Sequence, residues 1–163
     1  MNINDNFCIL LESINNFKKT YNEYKIENII DEKVIYKYVI DILSYFEMNF
    51  KFLKLSDFDD SERELINGFI YVNNVKKHSR LNIVYTINSK GLYPTNTLYP
   101  SNNLYPSDFG VYWGCLPFDT DKKHEKQNEE KFNCYNSKLK EQKIIETLDL
   151  LISFISKKIS EVI

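Results

Sequence analysis

The chain has 163 residues but no alanine, only two arginines (Arg63 and Arg80), four glycines and four prolines. Each scarcity excludes something. With glycine only at 68, 91, 110 and 114, neither a P-loop nor a dinucleotide-binding fingerprint can be written. No zinc-protease helix and no nucleophile elbow is present. No apolar run reaches the ~18–20 residues of a membrane span. The first residues carry no basic region followed by an apolar core, so no signal peptide is expected. Three cysteines, Cys8, Cys115 and Cys134, are too few and too irregular for a disulfide framework. Reduced thiols and a cytoplasmic location are expected. A net charge of −2 argues against general affinity for nucleic acid, which needs a basic face.

What is abundant is Asn, Ile and Lys, with 12 tyrosines, 11 phenylalanines and one tryptophan. Codons for the scarce residues are GC-rich and those for the common ones AT-rich, so a low-GC genome accounts for the general skew. That many aromatics and so small a net charge exclude a disordered chain. The length suits one domain, taken as residues 1–163.

Hydrophobic spacing predicts the elements. Phe7, Leu10, Leu11, Ile14, Phe17 and Tyr21 recur every three or four residues and form a helical stripe. Val34 to Phe46 covers a wider face of a second helix from about Asp31 to Met48, with Asp31 as N-cap. Phe50, Phe52 and Leu55 read as a strand. Phe69–Val72 and Leu81–Ile87 read as a β-hairpin joined through Lys76, Lys77, His78 and Arg80. Val111, Tyr112 and Trp113 start another strand. Ile144, Leu148, Leu151, Ile155 and Ile159 mark a long C-terminal helix, capped by Asn136 or Ser137. Asp121–Lys131 has no apolar residue and is expected as solvated loop or exposed helical turn. The expected fold is α+β, a central antiparallel sheet with two N-terminal helices and the long C-terminal helix packed on it.

Residues 92–109 contain three copies of a hexad: Leu-Tyr-Pro, a small hydroxyl residue, then Asn or Asp. Proline sets an extended Tyr before it, and the polar pair favours a turn. Three units are too few to stack as a β-helix. The segment 91–110 therefore reads as a surface loop, either a tolerated expansion or an aromatic recognition loop presenting Tyr93, Tyr99 and Tyr105. All four prolines and three of the four glycines lie between Gly91 and Pro117, together with Tyr112 and Trp113. Trp113 reads either as sheet core or as an anchor at a partner surface.

Asp57, Asp59, Asp60, Glu62 and Glu64 face only Arg63. That stretch reads as a solvated loop or as a patch steering a basic partner. Ser61 and Glu64 have capping-box spacing. Lys76, Lys77, His78 and Arg80 lack the interleaved aromatics of a single-strand platform. Cys115 with His124 or His78 has the residue types of a thiol catalytic pair. Cys115, His124 and Cys134 lack the close Cys-x-x-Cys pairing that nucleates a metal site, so no metal and no cofactor is expected.

Small size, an intracellular address, AT-rich coding and an acidic patch beside a Tyr-rich loop resemble bacterial immunity proteins of contact-dependent or polymorphic toxin systems. The resemblance implies a cytoplasmic, non-enzymatic inhibitor that binds one cognate, basic toxin domain, often a nuclease. Its contact residues would be Asp57, Asp59, Asp60, Glu62, Glu64, Tyr93, Tyr99, Tyr105, Tyr112 and Trp113. Two other readings stand beside it. One is a small enzyme using Cys115 or the acids at 57–64. The other is a structural or regulatory module of a phage or mobile element.

Overall fold

A computed structural model describes residues 3–78, 82–87, 109–118 and 125–162. Within them lie α1 (Ile3–Glu27), α2 (Glu32–Phe50), a single 3-10 turn (Leu55–Asp57), α3 (Asp60–His78), β1 (Val84–Ile87), β2 (Gly110–Trp113), α4 (Glu125–Lys138) and α5 (Ile144–Val162). The α+β expectation is therefore overturned. The described chain is mostly helical, and its sheet is one antiparallel pair, β1 with β2.

The helices predicted from long stripes form where expected. Leu10, Ile14 and Phe17 of α1 are fully buried, as are Ile144, Leu148 and Leu151 of α5. Asp31 caps α2: its carboxylate accepts from the backbone N–H of Lys33 at 3.0 Å and Val34 at 3.3 Å. Asn28 closes α1 in the left-handed region at φ 57°. The Ile29 N–H then returns to the Tyr24 carbonyl at 3.2 Å, the bond of a Schellman stop.

Three expectations fail locally. Phe50 ends α2, and the following residues form turns rather than a strand. Phe69–Val72 lies inside α3, with Lys76, Lys77 and His78 as its last turn. The C-terminal helix begins at Ile144, and Asn136 and Ser137 belong to α4. Physical reasons are at hand. Alternation and β-branching are a weak prior for a run of four residues, and burial on several sides overrides it. Leu65, Ile66, Phe69, Tyr71, Val72 and Val75 are all buried. Phe69–Val72 is apolar at four consecutive positions and shows no 3.6 period by itself, although the polar Arg63, Asn67, Asn74 and Lys77 around it recur at helical spacing.

α3 is capped two residues before the expected Ser61. The Asp59 N–H donates to Glu62 Oε2 at 3.0 Å, and the Glu62 N–H donates to Asp59 Oδ1 at 2.9 Å. This reciprocal pair is a capping box with Asp as the cap. Ser61 and Glu64 instead sit within the helix.

α1 pairs with α2 and α3 with α4, while α5 and the sheet close one contiguous core. Gly68 lets α3 and α4 approach closely. A Cβ there would stand 3.2 Å from the Leu139 side chain and 3.4 Å from the Tyr135 Cα. Trp113 sits at the centre. It is fully buried, edge-on to Phe69 with centroids 5.6 Å apart. Its Nε1 donates to Thr147 Oγ1 at 2.9 Å.

Candidate surface for partner binding

The segment singled out between Gly91 and Pro117 is described only from Phe109 to Pro117. There three tyrosine hydroxyls, one from each of three helices, hold irregular backbone. Tyr21 of α1 donates to the Phe109 carbonyl at 3.2 Å, Tyr71 of α3 to that of Pro117 at 2.5 Å, and Tyr135 of α4 to that of Gly114 at 2.5 Å. Burial, with the negative potential of Cys115, Tyr71 and Tyr85 after it, pushes the Tyr135 phenol far above its usual range. It remains a neutral donor at any ordinary pH. Part of the tyrosine abundance thus does structural work, because carbonyls outside helices and strands still need donors when buried.

The two strands divide their side chains between core and solvent. Val84, Val111 and Trp113 point inward and are buried. Tyr85 and Tyr112 stack on the other face with centroids 5.2 Å apart and planes 14° from parallel. Tyr85 and Ile87 rank among the exposed large hydrophobics. Burial, then the nearby Glu141 and Cys115, raise the Tyr85 phenol. Beside β1 a groove of about 390 Å³ opens between the strand and the first turns of α2, with Glu32, Lys33, Tyr36, Val84, Tyr85 and Thr86 on its walls. Thr86 Oγ1 donates to the Glu32 carboxylate at 2.8 Å and ties the two walls together.

The acidic stretch lies elsewhere. Asp57, Asp59, Asp60 and Glu64 are exposed and Glu62 is buried. Asp59 and Glu62 are occupied in the α3 cap. Asp60 pairs with Arg63, Glu64 with Lys138 at 3.0 Å, and Glu62 with Lys157 at 3.8 Å. Lys158 lies over the Phe58 ring, 5.9 Å from its centroid. Basic groups from α4 and α5 therefore offset much of the negative charge counted along the sequence. α2 begins at the groove and ends just before this turn. Its 19 residues rise 1.5 Å each, so the helix between them is about 28 Å long.

The sites expected from sequence thus divide into separate places. Tyr112 is on the open sheet face, Trp113 is core, and Asp57, Asp60 and Glu64 are exposed at the far end of α2. Tyr93, Tyr99 and Tyr105 lie outside the described residues. Sequence reasoning missed Tyr85, Ile87 and the groove. The signal was present in Leu81–Ile87, but the wrong partner strand was assigned to it.

Cys115 is exposed, and its thiol donates to the Glu141 carboxylate at 3.5 Å. His78 ends α3, and His124 lies outside the described residues. Cys134 is buried, and burial raises its thiol. Among the described residues no group of three or more His, Cys, Asp or Glu gathers as metal ligands. No described helix is long and apolar enough to cross a membrane.

A second cavity of about 290 Å³ lies between α2 and α3, with Phe46, Phe50 and Ile70 against Lys51, Lys77 and Lys131. Glu47 lies on its wall. Lys77 Nζ donates to Glu47 Oε1 at 2.5 Å, and Asn73 Nδ2 donates to Oε2 at 3.2 Å. The Lys77 bond leads in holding the Glu47 carboxyl below its usual value, with burial opposing and Asn73 assisting. A depressed carboxylate pKa stabilises the fold above the unfolded value, ~4.5, and that contribution is lost as pH falls through the folded value. Glu47→Gln is therefore expected to be most destabilising near neutrality, with the gap to wild type closing below pH ~4.5. Urea midpoints of both proteins across pH 3–7 check this, and a gap independent of pH would remove Glu47 from acid sensitivity.

Compared with protein-family models, curated proteins and solved structures, the chain matches none.

Proposed function

We propose that this protein is a stoichiometric binding protein, the cytoplasmic inhibitor of a cognate basic toxin domain, and not an enzyme. The observation that carries the reading is exposed Tyr85, stacked on half-buried Tyr112, with exposed Ile87 on the same face and Tyr85 on the wall of a groove. Rigid, amphipathic aromatics bordered by a pocket are the chemistry of binding hot spots. The exposed carboxylates of Asp57 and Asp60 supply a second, electrostatic region that would speed encounter with a basic partner. The reading rests on these surfaces.

The test is co-expression with a toxin-like C-terminal domain encoded next to this gene. A complex at one-to-one stoichiometry and rescue of growth are expected. The double variant Tyr85→Ala/Tyr112→Ala should weaken binding by roughly 30-fold or more, the cost of a hot spot of ≥2 kcal/mol. Charge reversal should use Asp57 and Asp60, because Asp59 caps α3 and its loss would perturb folding. Reversal there should slow association, with a small drop in the thermal midpoint because Asp60 opens α3 and pairs with Arg63. Absence of both complex and rescue would exclude the proposal.

A further inference from the structure

The two edges of the sheet are treated differently. In an antiparallel pair, alternate residues turn their N–H and C=O towards the partner strand, and those between turn them away. Gly114 N–H donates to the Ile83 carbonyl at 2.9 Å. In the register Tyr85↔Tyr112 and Ile87↔Gly110, these residues therefore bond across the pair. Trp113 faces outward on the β2 side, and there it is met. Its N–H donates to the Gln142 carbonyl at 3.1 Å and its carbonyl accepts from the Glu141 N–H at 3.0 Å. Residues 141–143 thus cover that edge, with a bridge between Tyr112 and Lys143.

By the same alternation, Val84 and Thr86 turn their main-chain groups out of the β1 edge. The sheet has only the order β1–β2 among the described residues, so no described strand meets them. Those groups open onto the groove walled by the first turns of α2. Two outward residues offer two donors and two acceptors at a two-residue repeat, which only another extended chain matches.

We propose that the β1 edge takes up an extended segment of the partner polypeptide, which adds as a third strand between β1 and α2. This rests on the binding reading above and names how the partner is held. Main-chain bonds to Val84 and Thr86 supply affinity. Alternate side chains of the incoming strand lie over Tyr36 and against Tyr85. The four-residue edge is ~13 Å long and suits a short segment. A second copy of this chain is a poorer occupant, because its own β1 is walled by its own α2.

The test uses the full chain, isotope-labelled for NMR. In the free protein, the Val84 and Thr86 amides should exchange at least tenfold faster than that of Tyr85. Titration with the probe peptide acetyl-Lys-Val-Thr-Val-Thr-Lys-amide should shift resonances of residues 84–87 and 32–36 and slow exchange at Val84 and Thr86. Thr86→Pro removes the outward N–H but no bond to β2, as proline at an edge can. It should weaken the peptide at least tenfold. Should that variant fail to fold, the wild-type exchange pattern and shift map still decide.

Equal protection of Val84, Tyr85 and Thr86 in the free protein would overturn the proposal. So would peptide shifts confined to other surfaces, or no shift at all. A dimer protected at Val84 and Thr86 would assign the edge to a second copy instead. If the toxin domain binds but leaves these two amides exposed, the strand-addition proposal falls and the inhibitor reading stands. If no toxin complex forms, the inhibitor reading falls and the peptide arm still judges the edge.

Discussion

Trp113→Ala should cost about 3–5 kcal/mol of unfolding free energy, the range for removing a large aromatic from a tight core. Three losses combine. The ring is fully buried, so its removal leaves a void that a helical frame fills poorly. The edge-on contact with Phe69 goes. Thr147 Oγ1 loses the indole donor and keeps only its own bond to the Ile144 carbonyl at 2.9 Å. Trp113→Phe separates the terms, since it retains most of the volume but not the N–H. It should fall between wild type and Trp113→Ala. Urea unfolding followed by far-ultraviolet circular dichroism suits both, as Trp113 is the only tryptophan and the variants lack its fluorescence. A loss below 1 kcal/mol for Trp113→Ala would mean that Trp113 is not at the centre of the core.

Gly68 yields the second large effect, and there two substitutions should diverge. Gly68→Ala adds one methyl 3.2 Å from Leu139 side-chain atoms, which can shift by a few tenths of an ångström. Alanine also gains up to ~1 kcal/mol of helix propensity over glycine. The two terms nearly cancel, and a change within about 1 kcal/mol is expected. Gly68→Val places further methyls where the Tyr135 Cα already stands 3.4 Å away. Backbone cannot yield as a side chain does, so α3 and α4 must separate. A loss of about 1–3 kcal/mol from overpacking is expected, with β-branching adding to it. Thermal midpoints of the three proteins measure the contrast. Equal stability of Ala and Val would show that the two helices are not in close contact at this point.

The surface carries an asymmetry with consequences for binding. One sheet edge is closed by the chain itself, and the other opens onto a groove. Long-lived free edges are prone to unwanted pairing. Here β1 is only four residues long and walled on one side by α2, which limits pairing to a slender segment. The open stack of Tyr85 on Tyr112 borders the same groove, so main-chain and side-chain recognition fall on one face. The acidic turn follows the other end of α2, a helix about 28 Å long, and lies apart from the groove. A partner using both must reach from one to the other.

The amino-acid sequence alone determined α1, α2 and α5. Their apolar residues recur at helical spacing over several turns, and Asp31 caps its own helix through bonds two and three residues away. Those signals are local, so reading them needs no knowledge of what packs against the helix. The sequence also marked Gly91–Pro117 as the stretch where backbone shape is specified, and its described part, Phe109–Pro117, is a short strand with irregular backbone around it. It did not reveal that tyrosines 88, 46 and 21 positions away supply the donors that hold that stretch.

Only the tertiary structure decided the state of Phe69–Val72 and the partner of β1. Four apolar, β-prone residues suit a buried strand and a buried helix equally, and the choice falls to what surrounds them. Tyr135, Phe132, Phe46 and Trp113 surround them here, contacting the Tyr71 and Phe69 rings. Gly68 is the point where two helices touch. Once that run was helical, β1 had to pair with β2. The opposite edge of β1 then lies beside α2, with no described strand to match its main-chain groups. Pairing between strands depends on residues distant in sequence, so neither the open edge nor its groove is written in any single stretch of the chain.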